Sequence, residues 1–393
     1  MIDPYVLDWL NLLARWFHIV IGAAWIGTSF YFNWLNNNLR PPDDAPKEVG
    51  GELWSVHGGH FYQVRKFKVA PAVLPRTLHW FKYEAYFTWV SGVCLLAIVY
   101  YLSADVYLID PSVADISAAT GIAIGIGSLV GGWLIYDLLC RSPLRAHPKV
   151  LGALGFGLTV LAAYGLSQYL SPRAAYIHVG AILGTCMAAN VFFVIIPGQK
   201  KMVDAMTAGK EPDPAAGQAG SLRSLHNNYM TLPVLFIMVS NHYPFVFGHN
   251  WNWALLAALI LIGAGVRHWF NLRGRGELNV WILPVAAVAT VSLAFVSMPT
   301  PIATPEGSVS FTAVETIITT RCTTCHAEEP SHPAFIAPPK NVMLDTPDRI
   351  VAQADAIYAQ SVVTRIMPMG NLTEMTDEER GIVGKWVEEG ALR

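Results

Sequence analysis

Residues 322 to 326 read Cys-Thr-Thr-Cys-His, two thiols two residues apart with an imidazole directly behind the second. Two thiols can bond the vinyl groups of a porphyrin while the histidine takes its iron, so Cys322, Cys325 and His326 have the types and order of a c-type haem attachment site. The competing reading is a chance motif or a zinc half-site, but no second C-x-x-C exists to complete a zinc cage. "RIMPMGN" offers the sixth iron ligand: Met367 precedes a proline and stands 41 residues beyond His326, with Met369 as the alternative. Met343 and Met375 read as core or surface residues. Histidine and methionine together raise the iron potential and make an electron acceptor.

Twelve histidines supply further candidates. His18, His178 and His242 fall near the outer ends of predicted spans, at one depth; His79, His226 and His268 fall at inner ends, and His57 and His60 in the first inner loop. A lone interfacial histidine reads most simply as a polar cap. Ionisable groups within spans are nonetheless functional candidates, and imidazoles take protons near neutral pH. If His18 and His178 faced one another, with His242 in reserve, they could hold a b-type haem that relays electrons towards the c-type site. The loop "GGELWSVHGGHFYQVRKFKVAP" combines flat rings (Trp54, Phe61, Tyr62) with cations (Arg65, Lys66, Lys68). Such a surface suits a planar anion, although aromatic-belt and positive-inside residues would give the same composition. Glu84, in "LHWFKYEAYFTWVSG", is either a proton acceptor or a partner of Lys82. The catalytic candidates are therefore His57, His60, His79, Glu84 and His226. No G-x-G-x-x-G after a strand and no phosphate loop occurs, so flavin and nicotinamide are not expected.

The elements that must position these groups are membrane helices. Of the 393 residues, 53% are hydrophobic and 14% charged, against roughly 25% charged in a soluble domain. About eight stretches approach the 20 apolar residues needed to cross a bilayer: 11–35, 79–102, 117–139, 150–169, 174–197, 227–247, 252–271 and 279–298. Loop charge alternates. Arg40, Lys47, Arg65, Lys66, Lys68 and Arg76, then Arg141, Arg145 and Lys149, then Lys200, Lys201, Lys210 and Arg223, then Arg267, Arg273 and Arg275 mark four cytoplasmic loops by the positive-inside rule. Both termini then face the periplasm of a bacterial inner membrane, the side on which c-type haem is attached. Cys94, Cys140 and Cys186 are scattered and imply no disulfide. Asp3 and Asp8 replace a basic leader, so the first span is expected to be retained. Net charge of −2 gives no nucleic-acid partner. The expected fold is all-α: a polytopic bundle over 1–298, a Pro-rich linker over 299–307 and a small soluble cytochrome c domain over 308–393.

"FHIVIGAAWIGTSFYFNWL" resembles the first helix of b-haem membrane proteins of the bacterial protoporphyrinogen oxidase group, matching at His18, Trp25 and Gly27. Taken together, "VHGGHFYQVRKF", "LHWFKYEAYFTWVSG", "LHNNYMTLPVLFIMVSNHYP" and "CTTCH…MPMGN" resemble the bacterial membrane-bound urate oxidase (urate hydroxylase) family with a fused cytochrome c. The resemblance implies oxidation of urate to 5-hydroxyisourate, with electrons passing through haem c to a soluble cytochrome c or terminal oxidase instead of to oxygen. Of site residues only the haem c ligands carry over, onto Cys322, Cys325, His326 and Met367. A quinol-oxidising respiratory complex and a non-catalytic tethered electron carrier are the alternatives; oligomeric state is not legible. Replacing Cys322 and Cys325 by Ala is expected to abolish haem staining on a denaturing gel, a surviving stain counting against the assignment, while Met367→Ala lowers the haem potential.

Overall fold

The structure, a computed structural model, describes residues 4–42, 46–298 and 302–393. Asp3 and linker residues 299–301 lie outside the described residues. Helix α1 (Pro4–Asn38) leads into strands β1 (Val49–His57) and β2 (His60–Phe67). Then come α2 (Tyr83–Leu96), prolonged by a π-helical turn over Ala97–Tyr101, short α3 (Ala104–Tyr107), α4 (Ala118–Arg141) and α5 (Pro148–Ser167). Helix α6 (Pro172–Ala189) runs through a second π-helical turn, Asn190–Ile195, into α7 (Ile196–Thr207). The bundle closes with α8 (Pro214–Ser240), α9 (Pro244–Phe247), α10 (Asn252–Gly274) and α11 (Ile282–Val296).

Local sequence explains where these helices start. Ser117 accepts a hydrogen bond from the Thr120 N–H, Ser171 from that of Ala174 and Asp213 from that of Ala215, each filling a donor that the first turn leaves unpaired. Pro172 and Pro214 sit at first helical positions, where no N–H is needed. Helix α6 is the hub: Ala174, Tyr176, His178 and Val179 are buried against a core that includes Tyr100, Leu108, Ile237 and Leu256.

Two expectations change. The chain is mostly helical but not all-α, because the first loop folds into an antiparallel hairpin that pairs His57 with His60 and Glu52 with Arg65. Gly58 and Gly59 both have positive φ, +57° and +80°, the geometry of a two-residue hairpin turn. Among the described residues six helices, against the eight expected, are long and apolar enough to cross a membrane by length and composition: Tyr5–Asn38, Tyr83–Tyr101, Ala118–Arg141, Pro148–Ser167, Pro172–Thr207 and Asn252–Gly274. The expected sixth span lies in α8, which is diluted by polar residues, and the eighth is α11, only 15 residues long.

The C-terminal residues build a separate core. Helices α12 (Phe311–Arg321), α13 (Thr323–His326), α14 (Pro347–Ala352), α15 (Ala354–Ile357) and α16 (Asp377–Glu388) bury Val314, Ile318, Leu344, Ile350, Val383 and Trp386 together. A reciprocal box of Thr376 and Glu379 caps α16, and Arg321 ties Glu379 to α12 at 3.0 Å. Burial works to raise the Glu379 carboxyl, but the Thr376 N–H and the Arg321 guanidinium outweigh it and hold the group below its usual range. A depressed carboxylate contributes stability above its unfolded pKa, about 4.3 for glutamate, and loses it as pH falls through the folded value. The melting temperature of the C-terminal domain is therefore expected to drop on acidification below about pH 4, less steeply in Glu379→Gln. Circular dichroism melts across that window check this, and equal slopes would contradict it.

Candidate functional site

Helix α8 carries "SLRSLHNNYMTLP" through an otherwise apolar bundle. Arg223, Asn227, Asn228 and Thr231 are all buried there. An unpaired ion in such surroundings is costly, and the structure supplies a partner: Arg223 meets Asp137 of α4 at 2.6 Å, and Arg141 meets the other Asp137 oxygen at 2.7 Å. Arg223 also donates to Asn190 Oδ1 at 3.1 Å. Because a guanidinium only donates, this contact fixes the Asn190 amide. Its Nδ2 must then donate to the Tyr136 hydroxyl (2.9 Å) and to Asn227 Oδ1 (2.8 Å). The Tyr136 proton is thereby directed to His226 Nδ1 at 2.8 Å, leaving a neutral His226 with its proton on Nε2. One buried charge thus sets a tautomer three groups away. Asn190 opens the π-helical turn after α6, a distortion that recurs at functional sites.

A second polar group lies beside the first. Asn271 of α10 donates to Asn228 Oδ1 at 2.9 Å, and the Arg267 guanidinium lies 4.3 Å from the ring centre of Phe30 on α1. Among the described residues, Arg267 Nε and Asn228 Nδ2 are the buried side-chain donors with no hydrogen-bond partner. Tyr136, His226, Tyr229 and His268 border a largely apolar cavity of about 1010 Å³ between α4, α5, α6, α8 and α10. Tyr229 and His268 are in hydrogen-bond contact at 2.7 Å.

Of the catalytic candidates, the structure places His226 in this layer and the others elsewhere. His57 and His60 flank the hairpin turn and are exposed. The proposed binding surface does not converge: Trp54 donates to Glu52, Arg65 pairs with Glu52 at 2.8 Å, Lys66 donates to Asn36 and Lys68 to the Lys47 carbonyl. Tyr62 is exposed on the same ribbon. His79 is exposed with its ring on Phe81. Glu84 is half-buried in the first turn of α2, and Lys82 lies over the Tyr83 ring rather than pairing with it. Arg223 and Arg267, counted above as loop charges, are buried inside helices.

The b-type haem does not fit its leading pair. His18 contacts Ser91 through Nδ1 at 2.9 Å, whereas His178 contacts Tyr101. Those partners are ten residues apart on one helical run, about 15 Å along its axis. His178 also has no free nitrogen. Nδ1 donates to the Ala174 carbonyl at 2.8 Å, and Nε2 accepts from Tyr101 at 3.2 Å. A Cβ on Gly125 would come within 2.6 Å of Nε2, so α4 closes the space an iron would need. His242 is exposed past the end of α8.

The c-type motif has the opposite geometry. His326 Nδ1 donates to the Val342 carbonyl at 2.9 Å, which fixes the tautomer and leaves Nε2 as the lone-pair donor. Cys322 and Cys325 are free thiols on the adjoining turn, and burial pushes the Cys322 thiol up to about 12. The loop carrying Met367 is tied to α16 and to the end of α12: Arg380 donates to the Met367 carbonyl at 2.7 Å, and Thr373 and Arg321 exchange hydrogen bonds. Met375 is buried in the core and is excluded as a ligand. These residues fit a haem c.

A family model described as urate oxidase, N-terminal, matches residues 4–298. The chain belongs to this urate oxidase family. No match emerged among curated proteins or solved structures. Membership points to urate-related oxidation and makes the protein an oxidoreductase. The region matched to the urate oxidase family contains the hairpin and the whole polar layer and stops before the C-terminal domain. Asp137, Tyr136, Asn190, Asn227 and Asn228 were not singled out from the sequence, and Arg267 was read only as a loop charge. Their signal was present as polar residues inside apolar helical stretches, but which of them meet depends on helix packing. Asp137→Asn strands Arg223 without its partner and is expected to cost about 3–5 kcal/mol, while adding Arg223→Met recovers most of that loss. Thermal unfolding of the single and double variants checks this; an unaltered melt for Asp137→Asn would count against it.

Proposed function

We propose that this member of the urate oxidase family is a membrane protein that converts urate to 5-hydroxyisourate and passes the electrons to a haem c held by Cys322, Cys325, His326 and Met367. The observation that carries the reading is one chain joining a family-matched helical region to a C-x-x-C-H motif whose His326 commits Nδ1 to the Val342 carbonyl and keeps Nε2 for a ligand. The reaction balances without oxygen: urate and one water give 5-hydroxyisourate, two protons and two electrons. When bound, haem c supplies a one-electron acceptor, so each turnover needs two transfers with reoxidation between them by a soluble cytochrome c or terminal oxidase. Six span-length helices support placement in a bacterial inner membrane, with loop charge favouring a periplasmic C-terminal domain. Arg223 and Asp137 neutralise each other and hold the Asn190, Tyr136 and His226 chain in one hydrogen-bond order.

Urate added anaerobically to the oxidised full-length protein is expected to produce the reduced haem c spectrum, with no hydrogen peroxide formed under air. Peroxide in proportion to urate, or reduction by quinol and not by urate, would defeat the proposal.

A further inference from the structure

A crevice of about 240 Å³ separates the end of the bundle from the C-terminal domain. The bundle contributes Tyr107, Asp110 and Arg173; the C-terminal domain contributes Arg365, Met369 and Gly370. The two parts touch closely here, since a Cβ on Gly248 would stand 3.2 Å from the Thr364 carbonyl oxygen. The volume lies under the roughly 300–1,000 Å³ of sites for drug-sized ligands and suits a smaller molecule.

Its charges are arranged for a ligand. Arg173 is anchored by Nε to Asn241 at 3.2 Å and lies over the Tyr100 and Tyr107 rings. Asp110 is buried and takes both the N–H and the hydroxyl of Ser112 on one oxygen, at 2.9 and 2.6 Å. Among the described residues neither Arg173 nor Asp110 has an ion-pair partner. An anion that also carries N–H donors would answer both.

The crevice is also next to the electron acceptor. It is lined by Ile366, Pro368 and Met369, the residues around Met367. No relay haem fits at His178, so electrons leave most directly from a donor bound at the acceptor itself.

We propose that urate binds in this crevice, its anionic face on Arg173 and its ring N–H groups towards Asp110, so that both parts of the chain complete one substrate site. This rests on the urate-oxidising reading and adds its location. Loss of the Arg173 charge removes a charge-assisted contact, and Arg173→Gln is expected to raise the urate KM about 10- to 100-fold. Reduction by ascorbate and the haem potential stay unchanged, and Arg173→Lys restores part of the affinity. A second measurement leaves Arg173 and the Asp110 carboxylate in place. In a Cys94→Ser background, Ser112→Cys places a thiol on the crevice rim, and urate is expected to slow its labelling by a charged maleimide, whereas hypoxanthine, neutral at pH 7, does not. If urate reduces the haem but neither KM nor labelling responds, the crevice is the wrong site and the function stands. If urate neither reduces the haem nor protects the thiol, the function fails with it.

Discussion

Burying an ion pair inside an apolar bundle is the constraint on which the polar interior depends. Arg223 can sit within α8 only because Asp137 of α4 faces it at 2.6 Å, and the pair is worth keeping only where its remaining donors are used. They are used on Asn190, and through that amide on Tyr136, Asn227 and His226. The helices α4, α6 and α8 are therefore fixed in mutual register by polar contacts as well as by packing. Each contact also removes a degree of freedom from the next, which is why a single protonation pattern satisfies the set.

The same logic applied to His178 gives the opposite functional outcome. Its two nitrogens are consumed by Ala174 and Tyr101, and Gly125 brings α4 against the ring. A histidine satisfied on both sides locks α2, α4 and α6 together and has nothing left for a metal. His326 differs because its backbone partner takes one nitrogen and, among the described residues, no hydrogen bond takes the other. The two imidazoles have the same chemistry in sequence, and only their partners separate a histidine satisfied on both sides from one with a nitrogen to spare.

The join between bundle and C-terminal domain bears on the catalysis proposed here. A one-electron acceptor serves a two-electron donor best when the donor waits beside it, since the partly oxidised substrate must be held until the second transfer. The proposed urate site, a crevice shared by Arg173 and Asp110 on one side and the Met367 loop on the other, would meet that requirement within a single chain.

The order Cys322, Cys325, His326 was legible in the sequence as a candidate for haem attachment because that motif is local, written in five consecutive residues. Span-length apolar stretches were legible for the same reason, as was the turn potential of Gly58 and Gly59, although reading that loop as a binding surface obscured the alternating hairpin pattern around it. What the sequence could not decide was pairing across helices. Arg223 and Arg267 look like loop charges in a linear count, and His18 and His178 look level. Burial, the 2.6 Å contact to Asp137 and the separation of Ser91 from Tyr101 exist only once the helices pack. Covalent spacing is written along the chain, whereas the partner of a buried charge is chosen by residues tens of positions away, and so only the tertiary structure decides it.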